Sequence, residues 1–181
     1  MTIEIGLVRK MPVRAQMKAF AVTADQVDDK PYGLDWALLK SRGFEGSVGE
    51  AQVVSGPEGI VAVLGLGDSK KLDATAFRLA GVAFVRAAKQ QKRIAADVLG
   101  AAGQNISVPS AAQAFAEGLE LGAYSYTAMK SQPELNAVKT VALVASGKRV
   151  SEAVVRAQAI AAGVNLAREL LNQPGGTITT A

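Results

Sequence analysis

Apolar positions follow a short period early in the chain and a longer one later. "TIEIGLV", residues 2 to 8, alternates apolar with other residues and predicts a strand; "KAFAVT", Lys18 to Thr23, predicts a second. The turn-rich "VDDKPYG" and a short helix over "LDWALLKSRG", ended by Gly43, follow. "GEAQVVSG" and "GIVAVLGLG" are β-branched runs on either side of "SGPEG", which predicts neighbouring strands joined by a tight turn. From Asp73 the spacing becomes helical. Phe77, Gly81, Phe84 and Ala88 share one face, with Arg78, Arg86 and Lys89 elsewhere on the surface. Asp73 suits the N-cap, and Lys89, Lys92 and Arg93 suit the negative C-terminal end.

"RIAADVLG" returns to strand. "PSAAQAFAEGLELGAY" predicts a second long helix, with Ser110 and Gln113 as a capping box just after Pro109. "AVKTVALVAS" is the last strand. Ser151 and Glu152 then open a final helix, whose Ala153, Ala157, Ile160, Val164, Ala167 and Leu171 fall along one face, and Pro174 stops it. Apolar strands interleaved with amphipathic helices predict an α/β fold. The expected form is a three-layer sandwich, a mixed or largely parallel sheet with helices on both faces. A chain of 181 residues suits one domain, or one domain plus an appended element.

Composition narrows the chemistry. Hydrophobic residues make up 49% and charged residues 20%, which argues for a packed core and against disorder. No apolar run approaches the roughly 20 residues of a membrane-spanning helix. The chain has no cysteine, so no disulfide framework, and no histidine. A Ser-His-Asp or Cys-His site therefore cannot be built from it, and a zinc site of carboxylates alone would be unusual. Catalytic, cofactor-binding and metal-ligating residues are all expected to be absent from this chain. The net charge of +4 permits contact with nucleic acid without requiring it.

Four stretches carry possible chemistry. Gly65, Gly67 and Asp68 lie in a strand-to-helix loop that could cradle phosphate on backbone N–H groups, but no third glycine and no G-K-[ST] follows, so a plain turn is expected. Basic residues gather at Arg9, Lys10, Arg14 and Lys18, at Arg86 to Arg93, and at Lys148 with Arg149; without interleaved aromatics they read as solvated surface. Asp25, Asp28 and Asp29 lack the spacing of a calcium loop. Gly118 and Gly122, inside a predicted helix, imply close packing there, expected against the sheet.

Two stretches together resemble a known family. "AEGLELGAYSYTAMKS" is similar to the E-G-x-x-L-G-x-Y-x-[FY] segment of the leucyl aminopeptidase (cytosol aminopeptidase) family. "AQAIAAGVNLARELLNQPGGTIT" resembles its joining helix, of the form N-L-A-R-D-L-V-N-x-P-P-N-x-L-T-P. "VAVLGLGDSKKLDATAFRLAGVAFVRAAK" also fits, so the likeness runs from about Val61 to Ala181. Gly175 and Gly176 depart from the usual Pro-Asn, and Thr180 stands where a proline is common.

The resemblance implies a macro-domain-like N-terminal domain over 1–150, a joining helix over 151–173, and from 174–181 the start of a linker to a C-terminal catalytic domain. That domain would carry two divalent metals (zinc or manganese), held by a lysine, aspartates and a glutamate, all beyond Ala181. The parent enzyme would be a cytoplasmic homohexamer that removes N-terminal residues from peptides. DNA binding, or ADP-ribose binding by a macro-like module, are the alternatives.

Overall fold

A computed structural model describes residues 3–56, 59–127, 131 and 135–173. Six strands, β1 (Glu4–Val8), β2 (Met17–Val22), β3 (Ala51–Gly56), β4 (Gly59–Gly65), β5 (Arg93–Asp97) and β6 (Thr140–Val144), form one sheet in the order β1-β6-β5-β2-β4-β3. Every pairing is parallel except β3 with β4, whose register runs from Ala51 opposite Leu64 to Gly56 opposite Gly59. That hairpin is the pair joined through "SGPEG"; its turn residues Pro57 and Glu58 lie outside the described residues, as do Pro174, Gly175, Gly176 and Thr180 of the expected linker.

The helices are α1 (Trp36–Ser41), α2 (Ala74–Ala87), α3 (Val108–Ala123) and α4 (Lys148–Asn172). Alternation along the strands splits the core in two. Met17, Ala19 and Ala21 of β2, with Ala62 and Leu64 of β4, face Phe77, Phe84, Phe115 and Leu119 of α2 and α3 and Val150, Val154 and Ala157 of α4. Val22, Val61 and Val63 point the other way, onto Trp36 and Leu39 of α1 and onto Phe44. The fold is thus α/β, a largely parallel sheet with three long helices on one face and the short α1 on the other.

The helix starts show which local signals act. Asp73 caps α2 as expected, its Oδ1 accepting from Ala76 N at 2.9 Å. The cap of α3 is Ser107, whose Oγ accepts from Ser110 N at 3.2 Å, and not Ser110. Pro109 lies within the first turn, where its missing N–H costs no helical bond, so the helix begins before it. Helix α4 begins at Lys148 after Gly147, whose φ of 106° suits glycine, so Ser151 sits inside the first turn and is no cap.

Gly118 approaches a helix, not the sheet. A Cβ on Gly118 would overlap the Arg78 carbonyl oxygen, and one on Gly122 would lie 2.9 Å from Val82 Cα. Both neighbours belong to α2. The glycines let two helices cross with backbones in contact.

Candidate functional site

The two stretches that carry the family resemblance lie far apart in sequence and meet at the distal end of α3. Asn165 of α4 donates its Nδ2 to the Glu120 carbonyl at 3.3 Å, and Arg168 Nη1 donates to the Leu121 carbonyl at 3.2 Å. These are carbonyls of the last turn of α3, which have no partner within their own helix. The Arg168 guanidinium also lies 5.8 Å from the ring centre of Tyr124, the C-cap residue of α3. Tyr124 Oη donates to Glu169 Oε2 at 3.1 Å and accepts from Asn172 Nδ2 at 3.3 Å. The motif side chains form a joint: the second helix caps the end of the first.

Glu120 anchors the other side of this joint. It is buried, and both its carboxylate oxygens accept from Ile3 N–H, at 3.1 and 3.3 Å. Gln158 of α4 donates to Ile3 O at 2.8 Å and reaches Glu120 Oε1 at 3.5 Å. The start of β1, α3 and α4 are therefore tied at one point. Burial pushes the Glu120 carboxyl above the usual carboxylate range, against the opposing pull of Gln158 and of Ile3 N–H. A hollow of about 380 Å³ opens beside it, lined in part by Glu120, Tyr124, Asn136, Asn165 and Glu169.

A second polar chain crosses the helices nearer their middle. Arg78 of α2 donates twice to Glu117 Oε2, at 2.9 and 2.7 Å; Gln113 Nε2 donates to Glu117 Oε1 at 3.0 Å; Arg156 of α4 reaches Gln113 Oε1 at 3.4 Å. Arg78, expected on the open surface, is half-buried because it neutralises the buried Glu117.

The other sequence candidates fall elsewhere. In the loop of Gly65, Gly67 and Asp68, the N–H groups flanking Asp68 are already spent: Gly65 donates to Glu50 O, Leu66 to Val22 O, Gly67 to Gly46 O, Ser69 to Asp25 Oδ1 and Lys70 to Asp68 Oδ1. It is a structural turn, and a Cβ at Gly65 would overlap Ser47 O. Asp25 accepts from Ser69 N at 3.2 Å, which holds its carboxyl below the ordinary value. Asp28 pairs with Lys40 at 2.7 Å, which lowers its carboxyl likewise. The two acids thus serve different partners. Among the described residues no group of three or more acidic side chains could hold a metal ion.

The basic clusters are partly rearranged by the fold. Lys18 is buried rather than on the surface, because it sits on the central strand β2. Arg14 and Arg93, far apart in the sequence, line one hollow of about 550 Å³ over the second face of β1, β6 and β5, together with Glu4. Sequence spacing separates them; the register of β5 with β2 brings them together.

Comparison with known proteins decides what this arrangement belongs to. The family model described as the cytosol aminopeptidase family, N-terminal domain, matches residues 13–133. The chain belongs to the cytosol aminopeptidase family. It is similar to a probable cytosol aminopeptidase of Microcystis aeruginosa, 35% identical over 160 residues, a match covering 85% of this chain and 32% of that protein. A solved structure of tomato leucine aminopeptidase superposes with a TM-score of 0.81 at 25% identity, covering 98% of this chain and 40% of its own. The bottromycin maturation enzyme BotP, solved in complex with Mn, gives a TM-score of 0.74 at 28% identity, covering 91% of this chain and 33% of its own. The chain thus spans about a third of the length of the curated relatives it matches. The matched residues correspond to the N-terminal domain of that family, and the joint is built from the residues that first pointed to it. No helix of the described residues is long and apolar enough to cross a membrane.

Proposed function

We propose that this domain is non-catalytic and architectural. It fixes the direction of α4, and through α4 the position of a C-terminal domain that removes N-terminal residues from peptides. The observation that supports this is the joint. Asn165, Arg168, Glu169 and Asn172 are all spent on binding the end of α3, and none is left presenting chemistry to a substrate. A helix held by its neighbour's terminal carbonyls cannot swing without breaking several hydrogen bonds at once.

Metal belongs, on this reading, to the C-terminal domain. BotP was solved with Mn. The donor set here does not suit a paired-metal centre: histidine and cysteine are missing from the sequence, and Asp25 and Asp28 are tied to separate partners. Two divalent ions, zinc or manganese, would activate water and polarise the scissile carbonyl in that other domain. Residues 174–181 then begin the linker, and the resemblance adds a cytoplasmic homohexamer as the setting.

The test compares two purified proteins, this chain and a version extended through the C-terminal domain, on a chromogenic leucine amide with added manganese or zinc. Chelator-sensitive turnover is expected only from the extended protein. Chelator-sensitive turnover by the 181-residue chain alone would overturn the reading.

A further inference from the structure

Helix α4 changes sides along its length. In its first half the apolar residues Val150, Ala153, Val154, Ala157 and Ala161 are buried. The face predicted from spacing to continue that pattern does not stay inside. Ile160, Val164 and Leu171 lie on the same stripe as Ala153 and Ala157, yet they are 48%, 38% and 85% exposed; Leu170 is 49% exposed, and Leu166, at the rim of the hollow beside Glu120, is 61% exposed. Over residues 159–171 the only charged side chains are Arg168 and Glu169, and both are turned inward onto the end of α3. The usual arrangement of a surface helix is reversed: polar groups face the domain, and apolar ones face out.

Single exposed apolar residues are ordinary, whereas a contiguous charge-free face several turns long marks a docking surface. We infer that the outward face of α4 over residues 159–171 is the docking surface of the C-terminal domain of the same protein, so that the joint and this face together clamp the two domains. The inference rests on the proposed function above. Two observations favour that occupant over a second copy of the chain. Relatives are about three times as long as the part matched here, the matched part being their N-terminal domain. Helix α4 is also the last described element, so a domain that follows it is tethered at the end of the apolar face. A short tether raises the local concentration to the millimolar range, so a modest apolar face suffices, while a second copy would have to bind from dilute solution. The small residues Ala162, Gly163 and Ala167 between the large ones allow the partner's backbone to come within helix-packing distance.

These 181 residues hold no cysteine, so an introduced thiol is the only thiol of this chain, and in the extended protein labelling is read at the introduced position by peptide mass spectrometry. Leu166→Cys places it on the face, and Glu152→Cys places a control on the exposed first turns of α4. Each is made in this chain and in the protein extended through the C-terminal domain, and maleimide labelling rates are compared. Labelling of Leu166→Cys should be at least about tenfold slower in the extended protein, meaning the face is covered in roughly nine molecules of ten. The Glu152→Cys rate should stay the same. Equal rates for Leu166→Cys in the two proteins would overturn the inference. So would protection in this chain alone that grows with its concentration, because the occupant would then be a second copy. Leucine-amide hydrolysis by the extended sample tests the proposed function separately: protection without hydrolysis upholds the docking and sinks the peptidase reading, and hydrolysis without protection does the reverse.

Discussion

Gly81 and Gly118 face each other where α2 crosses α3: a Cβ built on either would lie 3.1 Å from the other's Cα. The same Cβ atoms would overlap the Phe115 and Arg78 carbonyl oxygens. No flexible side chain can yield there, because the obstacles are backbone.

The expected outcome of Gly118→Ala is therefore a loss of about 1–3 kcal/mol, the usual cost of overpacking, even though alanine is the better helix former. Gly118→Leu should be worse. Urea denaturation checks this, and a midpoint equal to or above that of the unsubstituted chain would show that the helices can part at no cost.

Arg78→Met leaves Glu117 without its cation. Glu117 is only 7% exposed at the side chain, whereas Arg78 is 37% exposed, so solvent screens part of the pair. The full cost of breaking a buried pair, about 3–5 kcal/mol, is thus reduced here to roughly 1–3 kcal/mol. The double variant Arg78→Met with Glu117→Gln should recover part of that, because the uncompensated charge is gone while Gln113 keeps a partner. A double variant no more stable than Arg78→Met alone would mean that charge is not what Arg78 supplies.

What is legible in the sequence depends on distance along the chain. Asp73 and its α2 cap lie within one turn, and the β3–β4 hairpin is joined by a short turn, so both are local and both are readable. Gly118 signals close packing, but its partner is a carbonyl on α2, and nothing local tells helix from sheet. Periodicity places the stripe from Ala153 to Leu171 on one face, yet it cannot say where a helix leaves its domain. The joint is visible only as family motifs. Its physics, a helix end capped by Asn165 and Arg168 from another helix, depends on contacts between residues more than forty apart.

Glu120 predicts a pH dependence. Its carboxyl is raised in the folded chain by burial, so the folded state holds its proton more tightly than the unfolded state does. The groups facing it are Ile3 N–H and Gln158, with the chain's N-terminal charge as a minor influence. Its contribution is greatest below the ordinary glutamate range and is lost as pH rises through the raised value. The stability of the unsubstituted chain relative to Glu120→Gln should therefore fall as pH rises across that window. The introduced amide keeps an acceptor for Ile3 N–H but cannot titrate, so thermal melts of both proteins, run upward in pH from the ordinary carboxylate range, isolate its effect. A difference that stays flat, or grows with pH, would mean that hydrogen bonds to the carboxylate outweigh its burial.

Tyr124→Phe removes one hydroxyl that donates to Glu169 and accepts from Asn172. Both partners are on the distal half of α4, beyond Ala161, the last buried residue of that helix. The ring remains, so the contact with Arg168 is kept. The global cost should be small, about 0.5–1.5 kcal/mol for a partly buried hydrogen bond, and it should be local. Amide hydrogen exchange separates the two. Amides of Arg168 to Asn172 should exchange several-fold faster in the variant, while those of α3 around Phe115 and of β2 should keep their rates. The contrast is sharp because the first half of α4 is held by Val150, Val154 and Ala157 in the main core and does not depend on Tyr124. Uniform acceleration over the whole chain would show that the joint is part of the global fold. No change at all would show that α4 is held by Asn165 and Arg168 alone.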